Sequence, residues 1–442
     1  MARPRPGKGN ALFLLSLGCA KNLVDSEHLA AKLRTWGFRL VERVEDAGTA
    51  IVNTCGFIRP ATEESISAIL EMERLKAEGN LEKIGVVGCL LNRYGDDLKK
   101  ELPTVDFWAE AEDWDTLGRF LLKDAGTCTG GREPLPGGAK WSRFLKIAEG
   151  CGNCCSYCTI PSIRGNLRSL PVGFLAREAQ ELQRQGAREI CLVAQDLTAW
   201  GNDIYGKPSL PLLLDELEKS VGDETWIRLL YLHPSGIDDE LIERVLGSRK
   251  ILRYLDIPVQ HADPRVLADM NRAITPERLR RIFKRLREAD PDFALRTTVM
   301  VGHPGEDDAA FKTLVAFVEE IGFDRLGAFE FSPEEGTVSF SLQGKVPART
   351  KKSRLDKLMR IQEKISLERQ SRFEGKTLKV LVETVDPEGD LATGRSYREA
   401  PEVDGVIEIV NGGGLVPGTF VSAVVKEALE HDLVAEVRAD AL

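Results

Sequence analysis

Strand-like apolar runs alternate with helical patterns along most of this 442-residue chain, and that alternation constrains its fold more than any other feature. The predicted strands of the first third are residues 12–17, 49–53 and 83–87, and the predicted helices are 26–36, 62–77 and 94–102. Alternation of this kind is typical of a parallel sheet covered by helices. We therefore expect an N-terminal parallel α/β domain.

A longer alternating series follows a glycine-rich segment, residues 123–139, which lacks periodicity and is predicted to be a linker. The six strand-like runs of this series are residues 144–148, 189–193, 226–230, 252–257, 294–301 and 326–331. Six strand–helix units indicate a partial (β/α)6 barrel with its site at the carboxyl ends of the strands.

The texture of the sequence changes after Phe373. A final amphipathic helix is predicted over 350–372, and the short β-rich runs beyond it, separated by turn residues, indicate a small β-barrel. The predicted domains are therefore residues 9–125, 137–372 and 373–442.

Composition excludes several classes of protein. Hydrophobic residues make up 43% and charged residues 29%, both ordinary for a folded chain, and no apolar run approaches the roughly 18 residues of a membrane span. The net charge of −9 disfavours broad contact with nucleic-acid phosphates, so RNA binding is not expected to dominate.

The chain is too long to need disulfides for its stability, so its nine cysteines indicate a reducing compartment. We therefore expect the protein in the cytoplasm. The N-terminal run 11–17 followed by Cys19 mimics a lipoprotein signal, but Ser16 stands where such signals usually carry Leu. We expect a buried first strand there and no cleaved signal.

The strongest chemical motif is Cys151, Cys155 and Cys158, spaced Cys-x3-Cys-x2-Cys after the first barrel strand. Three thiolates at this spacing can hold three corners of a four-iron, four-sulfur cluster and leave one iron open to a ligand. The alternative is a structural zinc site, which usually needs four ligands in paired spacings. Cys154, inside the same loop, is expected to be a bystander.

A second group of cysteines follows three predicted strands of the N-terminal domain. Cys19, Cys55 and Cys89 each stand at the end of one strand. Because the carboxyl ends of parallel strands line one crevice, the three thiolates are expected to converge on a second cluster. Cys128 and Cys191 have no such placement and are expected to be free structural thiols.

The chain resembles the methylthiotransferases of the radical S-adenosylmethionine (SAM) superfamily over nearly its whole length. The segments that carry the resemblance are residues 17–27 (LGCAKNLVDSE), 53–58 (NTCGFI), 88–90 (GCL), 270–272 (MNR), 301–306 (VGHPGE), 394–405 (GRSYREAPEVDG) and 415–418 (LVPG). The last two resemble the TRAM domain of that family. His303 departs from the family, which often has an aromatic residue there. Within the family, residues 19–27 and 394–405 resemble the branch that modifies an aspartate of small-subunit ribosomal protein twelve, with a departure at Ala20.

The resemblance implies two four-iron, four-sulfur clusters and two molecules of SAM. One SAM methylates a sulfur held at the cluster of Cys19, Cys55 and Cys89. The other, at the cluster of Cys151, Cys155 and Cys158, yields the radical that removes hydrogen from the aspartate β-carbon, which then takes the methylthio group. The clusters and SAM carry this chemistry, so no side chain is predicted to be catalytic. The predicted partners are SAM, an electron donor and the ribosomal protein, with no membrane.

Four residues are predicted to contact SAM. Tyr157 fits the superfamily pattern, in which an aromatic residue commonly precedes the last cysteine. Arg296 lies in a barrel strand, and Gln195 and Asp196 follow the second barrel strand. Each of these three could equally be a structural ion pair or a strand-end cap.

The last 70 residues carry a net charge of −8. An acidic module repels RNA and attracts a basic protein, and ribosomal proteins are typically basic. We therefore expect this domain to dock the ribosomal protein through Glu399, Glu402 and Asp404 in a surface loop.

Two alternatives stay open at this point. A transfer-RNA methylthiotransferase would modify an adenosine and would favour a basic TRAM domain. A non-catalytic iron–sulfur carrier belongs to a different class of protein and would not need a SAM barrel.

Overall fold

A computed structural model describes residues 9–122, 131–386, 388 and 390–438. These residues form two compact units, one of residues 9–122, 131–139 and 159–166 and one of residues 140–158, 167–386, 388 and 390–438. In the part of the chain that the structure describes, every helix is too short or too polar to span a bilayer.

The first unit is a five-stranded parallel sheet with the order β2-β1-β3-β4-β5. Its elements are β1 (Ala11–Ser16), α1 (Ala20–Thr35), β2 (Arg39–Val41), β3 (Thr49–Thr54), α2 (Arg59–Ala77), β4 (Lys83–Gly88), α3 (Cys89–Glu101), β5 (Phe107–Ala109) and α4 (Trp114–Leu121). Strand β3 is buried along its whole length, as expected of a parallel strand with helices on both faces. The predicted N-terminal parallel α/β fold is confirmed.

The second unit begins with a six-stranded parallel sheet of order β13-β12-β11-β10-β9-β6. In chain order, the elements of residues 142–371 are β6 (Ser142–Lys146), β7 (Ala148–Glu149), α5 (Ile160–Arg164), β8 (Arg168–Ser169), α6 (Val172–Arg184), β9 (Glu189–Val193), α7 (Asn202–Tyr205), α8 (Leu210–Ser220), β10 (Trp226–Leu229), α9 (Asp239–Gly247), β11 (Ile251–Asp256), α10 (Pro264–Asp269), α11 (Pro276–Ala289), β12 (Ala294–Val301), α12 (Asp308–Ile321), β13 (Arg325–Glu330), α13 (Val338–Ser341) and α14 (Ala348–Ser371). The predicted partial barrel is confirmed. Helix α5 lies in the stretch that belongs to the first unit.

The chain ends in a closed barrel of five strands, ordered β14-β15-β16-β18-β17. The strands are β14 (Thr377–Val385), β15 (Leu391–Arg395), β16 (Ile407–Val410), β17 (Phe420–Ala428) and β18 (Leu433–Val437). Strands β15 and β18 are short, with five residues each, whereas β14 and β17 have nine. The predicted small C-terminal β-barrel is confirmed.

Three predicted features of the first unit differ from the structure, one being that helix α3 begins at Cys89, five residues before its predicted start. Helix α1 begins at Ala20, six residues before the predicted start, because its first turns are polar and bury Asn22 and Asp25 rather than an apolar stripe. The described part of the predicted linker is packed, since Arg132 is buried and donates from Nε to Glu27 Oε2 at 2.6 Å. Cys128, within that segment, lies outside the described residues.

Candidate iron–sulfur sites

Three neighbouring strand ends of the first unit bring Cys19, Cys55 and Cys89 to one edge of the sheet. Strand β1 ends at Ser16, β3 at Thr54, and β4 runs directly into Cys89. Strand β3 pairs in parallel with both β1 and β4, so the three carboxyl ends lie side by side. Cys55 and Cys89 are buried, whereas Cys19 is exposed, so the group is open to solvent at Cys19.

The backbone at this edge is shaped to let the thiols approach each other. Gly18 has a φ of 90°, and a Cβ built there would lie 2.9 Å from Cys55 Sγ. A larger residue would therefore collide with the thiol, and glycine also adopts this φ without strain. Burial raises the pKa of Cys55 from its ordinary value, and the negative charge of the Cys19 thiolate adds to that rise.

Arg164, the last residue of α5, belongs to the same group. Its Nε donates to Cys89 Sγ at 3.1 Å, its Nη1 donates to Asp25 Oδ2 at 3.1 Å, and its Nη2 donates to Asn22 Oδ1. Burial raises the pKa of Cys89 to about 11, and the Arg164 charge acts against that rise. Sequence alone does not point to Arg164, because nothing in its spacing connects it with Cys89.

The second group of cysteines lies in the loop after β6 and β7 of the second unit. Cys151, Cys155 and Cys158 are half-buried, whereas Cys154 is exposed. The backbone N–H of Asn153 donates to Cys151 Sγ at 3.4 Å, and burial raises the pKa of Cys151. The exposure of Cys154 separates it from the other three, in line with the bystander expectation.

Two predicted SAM contacts lie beside this loop, directly after β9. Asp196 accepts from Asn153 Nδ2 at 2.8 Å and also caps the short 3-10 helix that begins at Leu197. Gln195 donates from Nε2 to Glu149 at 2.8 Å, while its buried Oε1 has no hydrogen-bond partner. A buried acceptor without a hydrogen-bond partner is costly, so Gln195 Oε1 is suited to accept a hydrogen bond from a bound molecule.

Tyr157 lies in the wall of the same loop. Arg272, which is buried, donates from Nη1 to the Tyr157 hydroxyl at 3.2 Å and lies 3.9 Å from Cys155 Sγ. Burial raises the pKa of Tyr157, so the phenol is neutral at ordinary pH. Each group of cysteines therefore has one buried arginine against one of its sulfur atoms.

His303 is connected to the cysteine loop through hydrogen bonds. Its Nε2 lies 2.8 Å from Ser339 Oγ, which in turn lies 2.8 Å from Ser156 Oγ, next to Cys155. The His303 ring also contacts Tyr157 edge-on, with centroids 6.5 Å apart. A histidine here can thus pack like the family's aromatic residue and add a hydrogen bond.

Arg296 is not brought together with the other predicted SAM contacts. It is the third residue of β12, five residues before the carboxyl end of that strand. Its guanidinium donates to Asp256 at 3.0 Å and to Asp404 of the C-terminal barrel at 3.3 Å. This position does not support the expectation that Arg296 contacts SAM, because the guanidinium is already paired with Asp256 and Asp404.

The predicted docking loop also needs correction. Glu399 is fully buried and accepts from Arg325 at 3.3 Å, and the Asp404 side chain is only 2% exposed. Only Glu402 of the three predicted residues is exposed. Sequence alone could not show that an acidic turn faces buried arginines of another domain.

Three family models match the chain in order. The uncharacterized protein family UPF0004 matches residues 11–110, the radical SAM superfamily matches residues 145–318, and the TRAM domain matches residues 375–437. These models cover the sheet with Cys19, Cys55 and Cys89, the barrel and the C-terminal barrel.

Curated relatives match over nearly the whole chain. The protein named ribosomal protein uS12 methylthiotransferase RimO is 41% identical in Myxococcus xanthus, over 97% of this chain and 91% of the relative. The protein of the same name is 43% identical in Syntrophotalea carbinolica, over 96% of each chain, and 42% identical in Thermotoga maritima, over 94% of this chain and 97% of the relative.

Solved structures agree in fold. The radical SAM methyltransferase TsrM from Kitasatospora setae has a TM-score of 0.55 at 14% identity and covers 85% of this chain and 79% of its own. The cobalamin-dependent SAM radical enzyme OxsB has a TM-score of 0.51 at 12% identity and covers 80% of this chain and 56% of its own.

The matched models, the six-stranded barrel and its cysteine loop define an enzyme of the radical SAM class. The chain belongs to the family of ribosomal protein uS12 methylthiotransferases, RimO. The predicted family and enzyme class, a transferase of sulfur-containing groups, are thereby confirmed.

The residues present fit two iron–sulfur clusters. The eight described cysteines form no disulfide, and six of them fall into two groups of three thiols. Thiolates are the usual ligands of such clusters, and hydrogen bonds to the sulfur atoms tune them. Both groups have such hydrogen bonds, from Arg164 in the first and from the backbone of Asn153 in the second.

Proposed function

We propose that this protein adds a methylthio group to the β-carbon of an aspartate in ribosomal protein uS12 and consumes two molecules of SAM for each product. As a radical SAM methylthiotransferase it works with SAM and two four-iron, four-sulfur clusters. The observation that carries the proposal is the pair of three-cysteine groups, one in each unit, in a chain 41–43% identical to enzymes named for this activity.

We assign one cluster to Cys19, Cys55 and Cys89 and the other to the Cys151, Cys155 and Cys158 loop. SAM bound at the Cys151, Cys155 and Cys158 loop would supply the radical chemistry needed to remove hydrogen from an unactivated carbon, which no side-chain base could deprotonate. Each group leaves one metal position without a cysteine, which SAM can fill at one cluster and a transferable sulfur at the other.

The chain's own residues bind and orient these groups. Asp196 holds the cysteine loop through Asn153, and Arg272 holds it through Tyr157. The unpartnered Gln195 Oε1 is suited to accept from the amino or hydroxyl groups of SAM. Tyr157, Gln195 and Asp196 are therefore the proposed SAM-binding residues, and their task is to hold the reacting atoms in line.

We propose that the C-terminal barrel docks the basic substrate through its exposed acids. Glu408 of β16 and Glu427 of β17 are both exposed, and both are register partners of Val434 in the strand between them. They therefore lie in one row on the outer face of the barrel. Opposite charges steer association with a basic protein, and this attraction weakens with salt.

The proposed domains are residues 9–125, 137–372 and 373–442, and a ribosomal substrate favours action in the cytoplasm. The test of the function is mass spectrometry of purified uS12 after incubation with the reconstituted enzyme, a reductant, a sulfur source and SAM. We expect a methylthio group on one aspartate. Modification of an adenosine in transfer RNA instead would overturn the substrate assignment, and absence of 5′-deoxyadenosine would leave only an iron–sulfur carrier.

Single variants separate the roles of the two cysteine groups. Cys155→Ala should abolish formation of 5′-deoxyadenosine, because SAM is cleaved at that group. Cys55→Ala should still form 5′-deoxyadenosine but give no methylthiolated uS12, because the sulfur to be transferred is held in the other unit. If a folded Cys55→Ala protein cleaves no SAM, this division of labour is wrong.

A further inference from the structure

We propose that Arg164 is a positioning residue of the first cysteine group, whose buried guanidinium holds the Cys89 sulfur and sets the reduction potential of the cluster there. The inference rests on the proposed function only in assigning a cluster to Cys19, Cys55 and Cys89. It concerns a residue that lies outside all the cysteine motifs and just beyond Cys158 in the chain.

Three hydrogen bonds fix the orientation of the Arg164 guanidinium. The three nitrogens of the guanidinium have three different partners in the first unit, namely Cys89 through Nε, Asp25 through Nη1 and Asn22 through Nη2. The planar fork of arginine suits such divided contacts, which a lysine could not reproduce together. Asn22 also donates to the carbonyl of Thr54 at 2.9 Å, so the same network reaches the residue before Cys55.

The segment that leads into Arg164 is attached to the rest of the first unit at two points. Thr159 Oγ1 donates to the carbonyl of Phe57 at 2.9 Å, and Asn92 Nδ2 donates to the carbonyl of Ile163 at 2.9 Å. Phe57 lies two residues after Cys55, and Asn92 lies in the helix that begins with Cys89. The segment carrying the arginine is thus held by the same backbone that presents two of the cysteines.

The charge of Arg164 acts where water screens it little. Its side chain is 4% exposed, and the side chain of its carboxylate partner Asp25 is 3% exposed. Electrostatic interactions are stronger at such low exposure. Reduction adds negative charge to a cluster already held by three thiolates, so a cation that donates to one sulfur favours the reduced state.

The test isolates one cluster by changing Cys151, Cys155 and Cys158 to Ala in the full chain. In this parent protein we measure iron content and the midpoint potential by electron paramagnetic resonance at fixed potentials. Arg164→Met should make reduction roughly tenfold less favourable, a shift of about 59 mV to more negative potential for one electron. Arg164→Lys should recover most of the shift, since the charge is kept. Asp25→Asn should shift the potential in the opposite direction, because it removes a buried negative charge.

The matched control is Arg59→Met in the same unit. Arg59 is an arginine with an 80% exposed side chain, and solvent should screen its charge so that the potential is unchanged. A cluster whose potential is the same in the parent, Arg164→Met and Asp25→Asn would overturn the inference while leaving the proposed function intact. A parent without iron would instead overturn the cluster assignment. If Arg164→Met binds no iron, the Asp25→Asn variant decides, and an unchanged potential in that variant would refute the role.

Discussion

Arg395 of the C-terminal barrel donates from Nη2 to Glu189 of the six-stranded barrel at 2.7 Å, with both side chains almost fully buried. Glu189 also accepts from Arg228 at 2.6 Å on its other side. Burial alone would raise the pKa of Glu189, but the two arginines outweigh it and hold the pKa at about 2. The C-terminal barrel is therefore attached through a charged group that stays ionised at ordinary pH.

Glu189→Gln should destabilise the second unit by about 3–5 kcal/mol, because it leaves buried arginine charge without its counter-ion. The measurement is the free energy of unfolding in urea, followed by the fluorescence of the tryptophans. We also expect a protease to cut the Glu189→Gln variant faster between the two barrels.

The control for this prediction is Lys379→Met. Lys379 of β14 pairs with Glu224 at 2.7 Å, but the two side chains are 46% and 69% exposed. Exposed pairs contribute about 0–1 kcal/mol, so this variant should be almost as stable as the wild type. Equal losses from the two variants would show that burial of the Glu189 cluster is not what stabilises the contact.

Reversing Glu408 and Glu427 to Lys should slow methylthiolation of uS12 several-fold at low salt and less at moderate salt. The reason is the loss of electrostatic attraction to a basic protein, which salt screens. Cleavage of SAM without substrate should be unchanged, since neither residue is near a cysteine group in the chain. Rates with purified uS12 at two salt concentrations are the measurement.

A matched double reversal tests whether position matters. Glu319 and Glu363 are exposed acids of helices α12 and α14, outside the C-terminal barrel. Changing both to Lys alters the net charge equally, so a similar slowing would mean that only the overall charge matters. No slowing in the Glu408 and Glu427 variant would refute docking by that face.

The sequence predicted those parts of the fold and site that depend on local pattern. Strands such as β9 and β12 were predicted with their observed bounds, because they are short apolar runs between turns. The placement of Cys19, Cys55 and Cys89 at the ends of neighbouring strands followed from a rule of topology, since parallel neighbouring strands end at one edge.

Contacts between distant segments of the chain could not be predicted from the sequence. Arg164 meets Cys89 across 75 positions of the chain, and no spacing rule connects an arginine with a thiol. Glu399 was expected at the surface because acidic turns usually are exposed, yet it is buried against Arg325. Both cases depend on long-range packing, which local pattern does not encode.

Cys154→Ala should keep both clusters and the rate of SAM cleavage, whereas Cys155→Ala should lose about four irons and all cleavage. The two residues are adjacent, but Cys154 is exposed and Cys155 is half-buried beside Arg272. The measurements are iron content and 5′-deoxyadenosine formation after reconstitution. Loss of iron in Cys154→Ala comparable to that in Cys155→Ala would mean that the loop uses a different set of three cysteines.

His233 should make the stability of the protein depend on pH in the weakly acidic range. Burial, together with the nearby charge of Arg272, lowers the pKa of His233 from its ordinary value to about 4. The unfolded chain therefore takes up a proton near pH 6.5 that the folded chain refuses. The stability contributed by the neutral ring is complete above about pH 6.5 and is lost as the pH falls towards 4.

His233→Asn removes this titration and keeps a side chain that can accept from the backbone N–H of Ser235, as Nδ1 of His233 does now. Between pH 7.5 and 5.5 the wild type should lose about 1 kcal/mol more stability than the variant, since the lower limit lies one unit below the pKa of an unfolded histidine. Thermal unfolding of the reconstituted proteins at constant salt measures the difference. Parallel curves for the two proteins would show that His233 titrates alike in the folded and unfolded states, and a steeper curve for the variant would reverse the sign of the argument.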